Sequence, residues 1–184
     1  VSNLEEPRIV AATVDDVDAV TDQWVALARG QRRHGSTLLA SENRAAVREW
    51  VARSVVTGEL LVARGEGPAE ENAGRDDEGN DRTDDGTAAE ESIVGFVAFS
   101  IERDGYDRDR TRGVVSNLFV IPDRRGEGIG SALLAAAERE LAEAGADAVA
   151  LEALADNERA RAFYADHGYD LHRVELRKEL DDEA

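Results

Sequence analysis

Cysteine is absent from the 184 residues, which removes disulfides, thiolate metal sites and any covalent cysteine mechanism. Lysine is nearly absent as well: among 22 basic residues only Lys178 is one. The three histidines, His34, His167 and His172, are scattered without metal-ligand spacing, so no metal is expected. No apolar run approaches the roughly 18 residues that a membrane span requires, so no membrane association is expected. Val1-Ser2-Asn3-Leu4-Glu5-Glu6 carries neither the basic nor the apolar segment of a signal peptide, and a soluble cytoplasmic protein is the expectation. Positive charge is scarce overall. The formal net charge of -18 argues against nucleic acid as a partner, because a phosphate backbone would be repelled.

Acid is what the chain has in excess, with 40 Asp and Glu. That excess, with lysine almost eliminated, resembles the composition of proteins from salt-loving archaea. At molar salt the Debye length falls to about 3 Å, so the self-repulsion of such a surface is screened. Acidity alone gives no reason to remove lysine. Eleven of the acids fall in residues 65–91, together with two arginines, five glycines and no large apolar residue. This stretch cannot bury enough surface to offset its ordering entropy and is predicted to be a disordered, solvated insertion. The strands on either side can still pair across it, since loop-closure entropy grows slowly with length.

The rest reads as one domain over 1–184 with a sizeable core. Strands are predicted at 8–12, 59–64, 92–102, 114–121 and 148–153, with one or two closing strands in 169–180. Thr13-Val14-Asp15-Asp16 resembles a capping box opening a helix whose Val17, Val20, Trp24 and Leu27 face the core. A second helix is predicted from the N-cap Ser41 to the stop at Gly58, with Val47, Trp50, Val51 and Ser54 on one face. Trp24 and Trp50 read as core residues. A third helix carries Ile129, Leu133, Ala137 and Leu141 as a buried stripe and ends at Gly145, and a short fourth one occupies 157–167. Two helices before a hairpin, followed by alternating strands and helices, indicate a mixed α/β sheet.

Arg125-Gly126-Glu127-Gly128-Ile129-Gly130 lies between the fourth strand and the third helix. Alternating glycines at a helix start expose backbone N–H groups beside the positive end of the dipole, an anion site suited to a pyrophosphate. A plain glycine turn is the alternative. The dinucleotide fingerprint fails, because the sixth position counted from Gly126 is Ser131 and Pro122-Asp123-Arg124-Arg125 separates the loop from the strand. The P-loop pattern fails for want of Gly-Lys-Ser/Thr. Arg-x-x-Gly-x-Gly does fit, as Arg125, Gly128 and Gly130. A second set follows: Leu151-Glu152, Asn157, Ala162-Phe163-Tyr164 and Gly168-Tyr169. With both sets in this order the chain resembles the GCN5-related N-acetyltransferase (GNAT) superfamily, most closely over 116–174.

The resemblance implies the GNAT fold, a mixed six- to seven-stranded sheet flanked by about four helices, with the central parallel strands splayed. It implies acetyl-CoA as acyl donor and a protein N-terminus or small amine as acceptor, and it leaves a homodimer open. In the splay, Leu118, Phe119 and Val120 would offer backbone groups to pantetheine, and the amides of Gly126, Glu127, Gly128, Ile129, Gly130 and Ser131 would hold the pyrophosphate. Arg125 matches the family's Gln/Arg position and is otherwise a surface arginine. Asn157 matches a residue that bonds the pantetheine arm and also suits an N-cap. Tyr164 would supply a hydrogen bond or proton to the leaving thiolate, or else pack as core. Glu152 would be the general base, or one more solvated acid. Arg32, Arg33 and His34 fall where the family shapes its acceptor pocket but read more readily as an exposed loop. Transfer would be direct, since no cysteine can hold the acyl group. A GNAT-fold module that binds CoA as a sensor or scaffold without turnover is the reading from another class.

Overall fold

The computed structural model describes residues 7–66, 91–103 and 109–178. Most of the acidic stretch 65–91 therefore lies outside the described residues. The elements run β1 (Arg8–Ala11), α1 (Val17–Gln31), α2 (Arg44–Thr57), β2 (Leu60–Glu66), β3 (Glu91–Ile101), β4 (Arg112–Val120), α3 (Ile129–Glu143), β5 (Ala148–Leu151) and α4 (Glu158–Asp166). One sheet has the order β1-β2-β3-β4-β5. Its neighbours are antiparallel except the last pair, where β4 and β5 run parallel. No helix among the described residues is long and apolar enough to cross a membrane.

The sheet is covered on both faces, which is why Leu60 to Ala63 and Val94 to Phe99 read as unbroken apolar runs rather than alternating ones. Period two still sorts them. Leu60, Val62, Phe96 and Ala98 pack with Val20, Val47 and Val51 of α1 and α2. Leu61, Ala63, Val97 and Phe99 pack with Leu133, Ala137 and Leu141 of α3. The predicted stripe Ile129, Leu133, Ala137, Leu141 is fully buried.

The capping box at Thr13 opens a 3-10 turn, Val14–Asp16, that leads into α1. The Asp16 carboxylate accepts from the Thr13 amide at 2.7 Å and from Arg64 Nη2 at 2.8 Å, so one buried acid ties the helix start to β2. The second helix starts at Arg44 rather than Ser41, because residues 40–43 first form a turn in which Arg44 N–H bonds to the Ser41 carbonyl.

The closing strands do not form. Residues 169–178 carry no strand, so the described sheet has five strands rather than six or seven. A strand there would put Leu171 on the face opposite Val174 and Leu176, and all three are exposed. β5, four residues long, offers little edge to extend.

Two irregularities place the site. Val115 to Asn117 on β4 spans two steps opposite one step on β3, so Ser116 is an extra residue and β4 bends there. The β4–β5 pairing runs only from Arg112↔Ala148 to Val115↔Leu151. Beyond the bulge, β4 continues to Val120 without β5 beside it, leaving a wedge open at the strand ends.

Candidate active site

A cleft of about 600 Å³ occupies that wedge. Its walls are the end of β4 (Leu118, Phe119, Val120), the loop and first turn of α3 (Arg125, Gly126, Gly128, Gly130, Ser131), α4 with its N-cap (Asn157, Phe163, Tyr164), the end of α1 (Leu27, Gly30) and the turn that follows it (Arg33, His34). Ten of the thirteen residues singled out in the sequence thus meet on one surface. The other three do not line it. Ile129 turns its side chain into the core, the Glu127 carboxylate pairs with Arg124 at 2.7 Å, and Glu152 stands exposed just past the end of β5.

Backbone direction follows from the ladder. Ile121 N–H bonds to the Val94 carbonyl, so Phe119, two residues earlier, also turns its backbone groups to β3. Leu118 and Val120 turn theirs the other way, into the cleft. The Val120 carbonyl there accepts from Arg125 Nε at 2.9 Å.

The glycine loop has the geometry its sequence suggests. Gly126 and Gly128 adopt φ of 88° and 83°, left-handed values that an L side chain takes only with strain. Gly128 is the N-cap of α3, and no side chain caps this helix. Its first helical bond is Ala132 N–H to the Gly128 carbonyl, which leaves the amides of Ile129, Gly130 and Ser131 without helical acceptors. The Ser131 hydroxyl is turned aside. His167 Nδ1 lies 2.7 Å from the Phe163 carbonyl and so carries the proton, leaving Nε2 to accept from Ser131 Oγ at 2.9 Å. His167, at the C-terminal end of α4, thus ties that helix to the start of α3.

Asn157 caps α4, its Oδ1 accepting from Ala160 N–H at 3.1 Å, and its amide group remains available on the cleft wall. Tyr164 stacks edge-on against Phe163 and Tyr169, with centroids 5.3 and 5.9 Å away. Burial raises its phenol above the usual tyrosine value. Among the described residues its hydroxyl has no hydrogen-bond partner.

The family of known proteins to which this geometry corresponds is decided by a direct match. The family model "Acetyltransferase (GNAT) family" aligns with residues 55–169, from the end of α2 to Tyr169. The chain belongs to the GNAT acetyltransferase family. A general acetyl-transfer function follows, in a family that typically uses acetyl-CoA and acts on amine acceptors. Solved structures share the fold. A GCN5-related N-acetyltransferase from Ralstonia eutropha JMP134 is 23% identical over 95% of this chain and 97% of its own, with a TM-score of 0.61. A transcriptional regulator from Bacillus halodurans C-125 is 16% identical over 95% and 99%, at 0.62. An integron cassette protein from V. cholerae is 13% identical over 97% and 94%, at 0.60. No curated protein matches the sequence.

Part of this GNAT cleft escaped the sequence. Among the described residues it is lined by four arginines, Arg33, Arg124, Arg125 and Arg159, and by no Asp or Glu. Arg33 and His34 are cleft residues rather than a loop facing solvent alone. His34 Nδ1 donates to the Asp156 carbonyl at 3.1 Å while its Nε2 accepts from Arg33 Nε at 3.2 Å. This contact joins segments 122 positions apart. Trp24 and Trp50, half-buried against the α1–α2 core, also line a second hollow of about 420 Å³.

Proposed function

We propose that the chain transfers an acetyl group from acetyl-CoA to a primary amine, either a protein N-terminus or a small amine, by direct attack in a ternary complex. The observation that carries this reading is the uncapped start of α3. Three free amides behind two left-handed glycines open into the same cleft as the Tyr164 ring. The diphosphate of CoA would sit on those amides. The arm would pass along β4, where Leu118 and Val120 present backbone groups and Asn157 its side-chain amide.

The neutral amine attacks the thioester carbon, the C–S bond breaks, and the sulfur leaves as thiolate. The proton shed by the new amide nitrogen ends on that sulfur, giving amide and free CoA. Tyr164 would donate a hydrogen bond to that sulfur. A raised phenol pKa keeps the donor protonated. A thiol releases its proton near pH 8.5 and a phenol only at about 10 or above, so full transfer from Tyr164 is uphill and stabilisation by the hydrogen bond is the larger effect. The ammonium must lose a proton before attack. Among the described residues no carboxylate lines the cleft, and Glu152, exposed beside β5, would take that proton through water.

An acceptor screen followed by mass spectrometry, run in molar KCl, tests the reading. The expected result is an amide product formed together with an equal amount of free CoA. Saturable acetyl-CoA binding with no product over a broad amine panel would instead make the domain a CoA-binding module.

A further inference from the structure

Six of the described arginines are matched with acids. Arg8, Arg44, Arg48, Arg64, Arg112 and Arg124 pair with Glu91, Asp22, Asp18, Asp16, Glu102 and Glu127. Arg33, Arg125 and Arg159 line the cleft from three separate elements, and none of them makes an ion pair among the described residues. Arg33 comes from the turn after α1, Arg125 from the glycine loop and Arg159 from the first turn of α4. Like charges that line one cleft raise each other's energy, and among the described residues no acid lines it beside them.

The way two of them are held leaves their outer ends free. Arg33 spends Nε on His34, which is anchored in turn on the Asp156 carbonyl. Arg125 spends Nε on the Val120 carbonyl, and its guanidinium lies 5.6 Å from the centre of the Phe119 ring. In each case the two terminal nitrogens remain, the paired donors that match a phosphate or a carboxylate. Arg125 senses the other two: desolvation first, then the charges of Arg159 and Arg33, lower its pKa from the ordinary value.

We propose that Arg33, Arg125 and Arg159 together seat one phosphate or carboxylate group in the cleft, separate from the diphosphate assigned to the amides at the start of α3. The separateness rests on the acetyl-CoA reading given above. Two sources carry such a group: the 3′-phosphate of the donor, or an acidic substituent on the acceptor amine. Either one makes the cleft select anions although the whole molecule is strongly acidic.

The test compares the unsubstituted chain with Arg33→Gln and Arg159→Gln in buffered molar KCl, using three readouts. The first is the rise in melting temperature on adding inorganic phosphate. The second is the ratio of affinities for CoA and 3′-dephospho-CoA. The third is the ratio of kcat/KM for an amino acid and its decarboxylated amine. The seat predicts that at least one readout, about tenfold in the unsubstituted chain for either ratio, collapses to within about twofold in both variants. The ratio that collapses names the source. Retention of all three responses in both variants overturns the seat. If the unsubstituted chain binds neither CoA nor its dephospho form, the acetyl-CoA reading fails by itself. The phosphate response then decides the seat alone, upheld if both variants lose it and overturned if they keep it.

Discussion

Tyr164 and Tyr169 show how single residues tie the site to its surroundings. Tyr164 packs on the α3 core and points into the cleft, and Tyr169 donates to Glu138 Oε1 at 2.7 Å. Replacing Tyr164 by Phe keeps the packing and removes only the hydroxyl. The expected outcome is a fall in kcat of about a hundredfold, with acetyl-CoA affinity changed by no more than about twofold. An unchanged kcat on every accepted amine would end the leaving-group role. The two phenols also set a pH dependence. Burial raises both, and Tyr169 is raised further by its bond to Glu138. A folded pKa above the unfolded one contributes stability that is complete below about pH 10 and is lost as pH rises beyond it. Melting temperatures should therefore fall above about pH 10, and less steeply in Tyr169→Phe. Equal alkaline slopes in the two proteins would show that this linkage is absent.

At the scale of elements, β3, β4 and α3 shape the cleft through close contact at Gly95. A Cβ at this position would meet the Phe119 carbonyl oxygen at 2.6 Å and Leu133 Cδ1 at 3.2 Å. Gly95→Ala should therefore move β4 at Phe119, in the cleft wall, and destabilise the domain by about 1–3 kcal/mol, read by chemical denaturation. Wild-type stability would mean that β4 shifts freely. The elements were mostly legible in the sequence because their signals are local. The α3 stripe repeats within one helix, Gly58 and Gly145 sit at the left-handed ends of α2 and α3, and Asn157 carries its own cap. Two features were not legible. Residues 169–178 look strand-like in composition, but their apolar residues change face between Leu171 and Val174. The arginine lining was hidden because Arg33 and Arg159 are brought together only by packing across the sheet, and no local pattern marks such a meeting.

Over the whole molecule, a net charge of -18 opposes compaction in dilute buffer, where the repulsion between carboxylates is least screened. We propose from this composition that the protein is adapted to high salt. Dilution from molar KCl to low salt should unfold the domain, as followed by circular dichroism. An unchanged spectrum and melting temperature would remove that reading. The same acidic body holds a cleft with no Asp or Glu among its described lining residues, so the sign of the net charge does not predict what the site accepts. Acetyl-CoA is proposed to occupy this cleft against the start of α3, and Gly130 is where that placement can be probed. A Cβ there would make only ordinary contacts within the protein, at 3.6 Å from Phe163 and 3.9 Å from Val120, yet it would enter the cleft between those two walls. Alanine also favours the helix by about 1 kcal/mol over glycine. Calorimetric titration of acetyl-CoA into the unsubstituted chain and Gly130→Ala should give one site per chain in the former. In the variant, binding should be at least about tenfold weaker, with a melting temperature that is equal or higher. Equal affinity in the two proteins, or no binding to the unsubstituted one, would contradict that placement of acetyl-CoA.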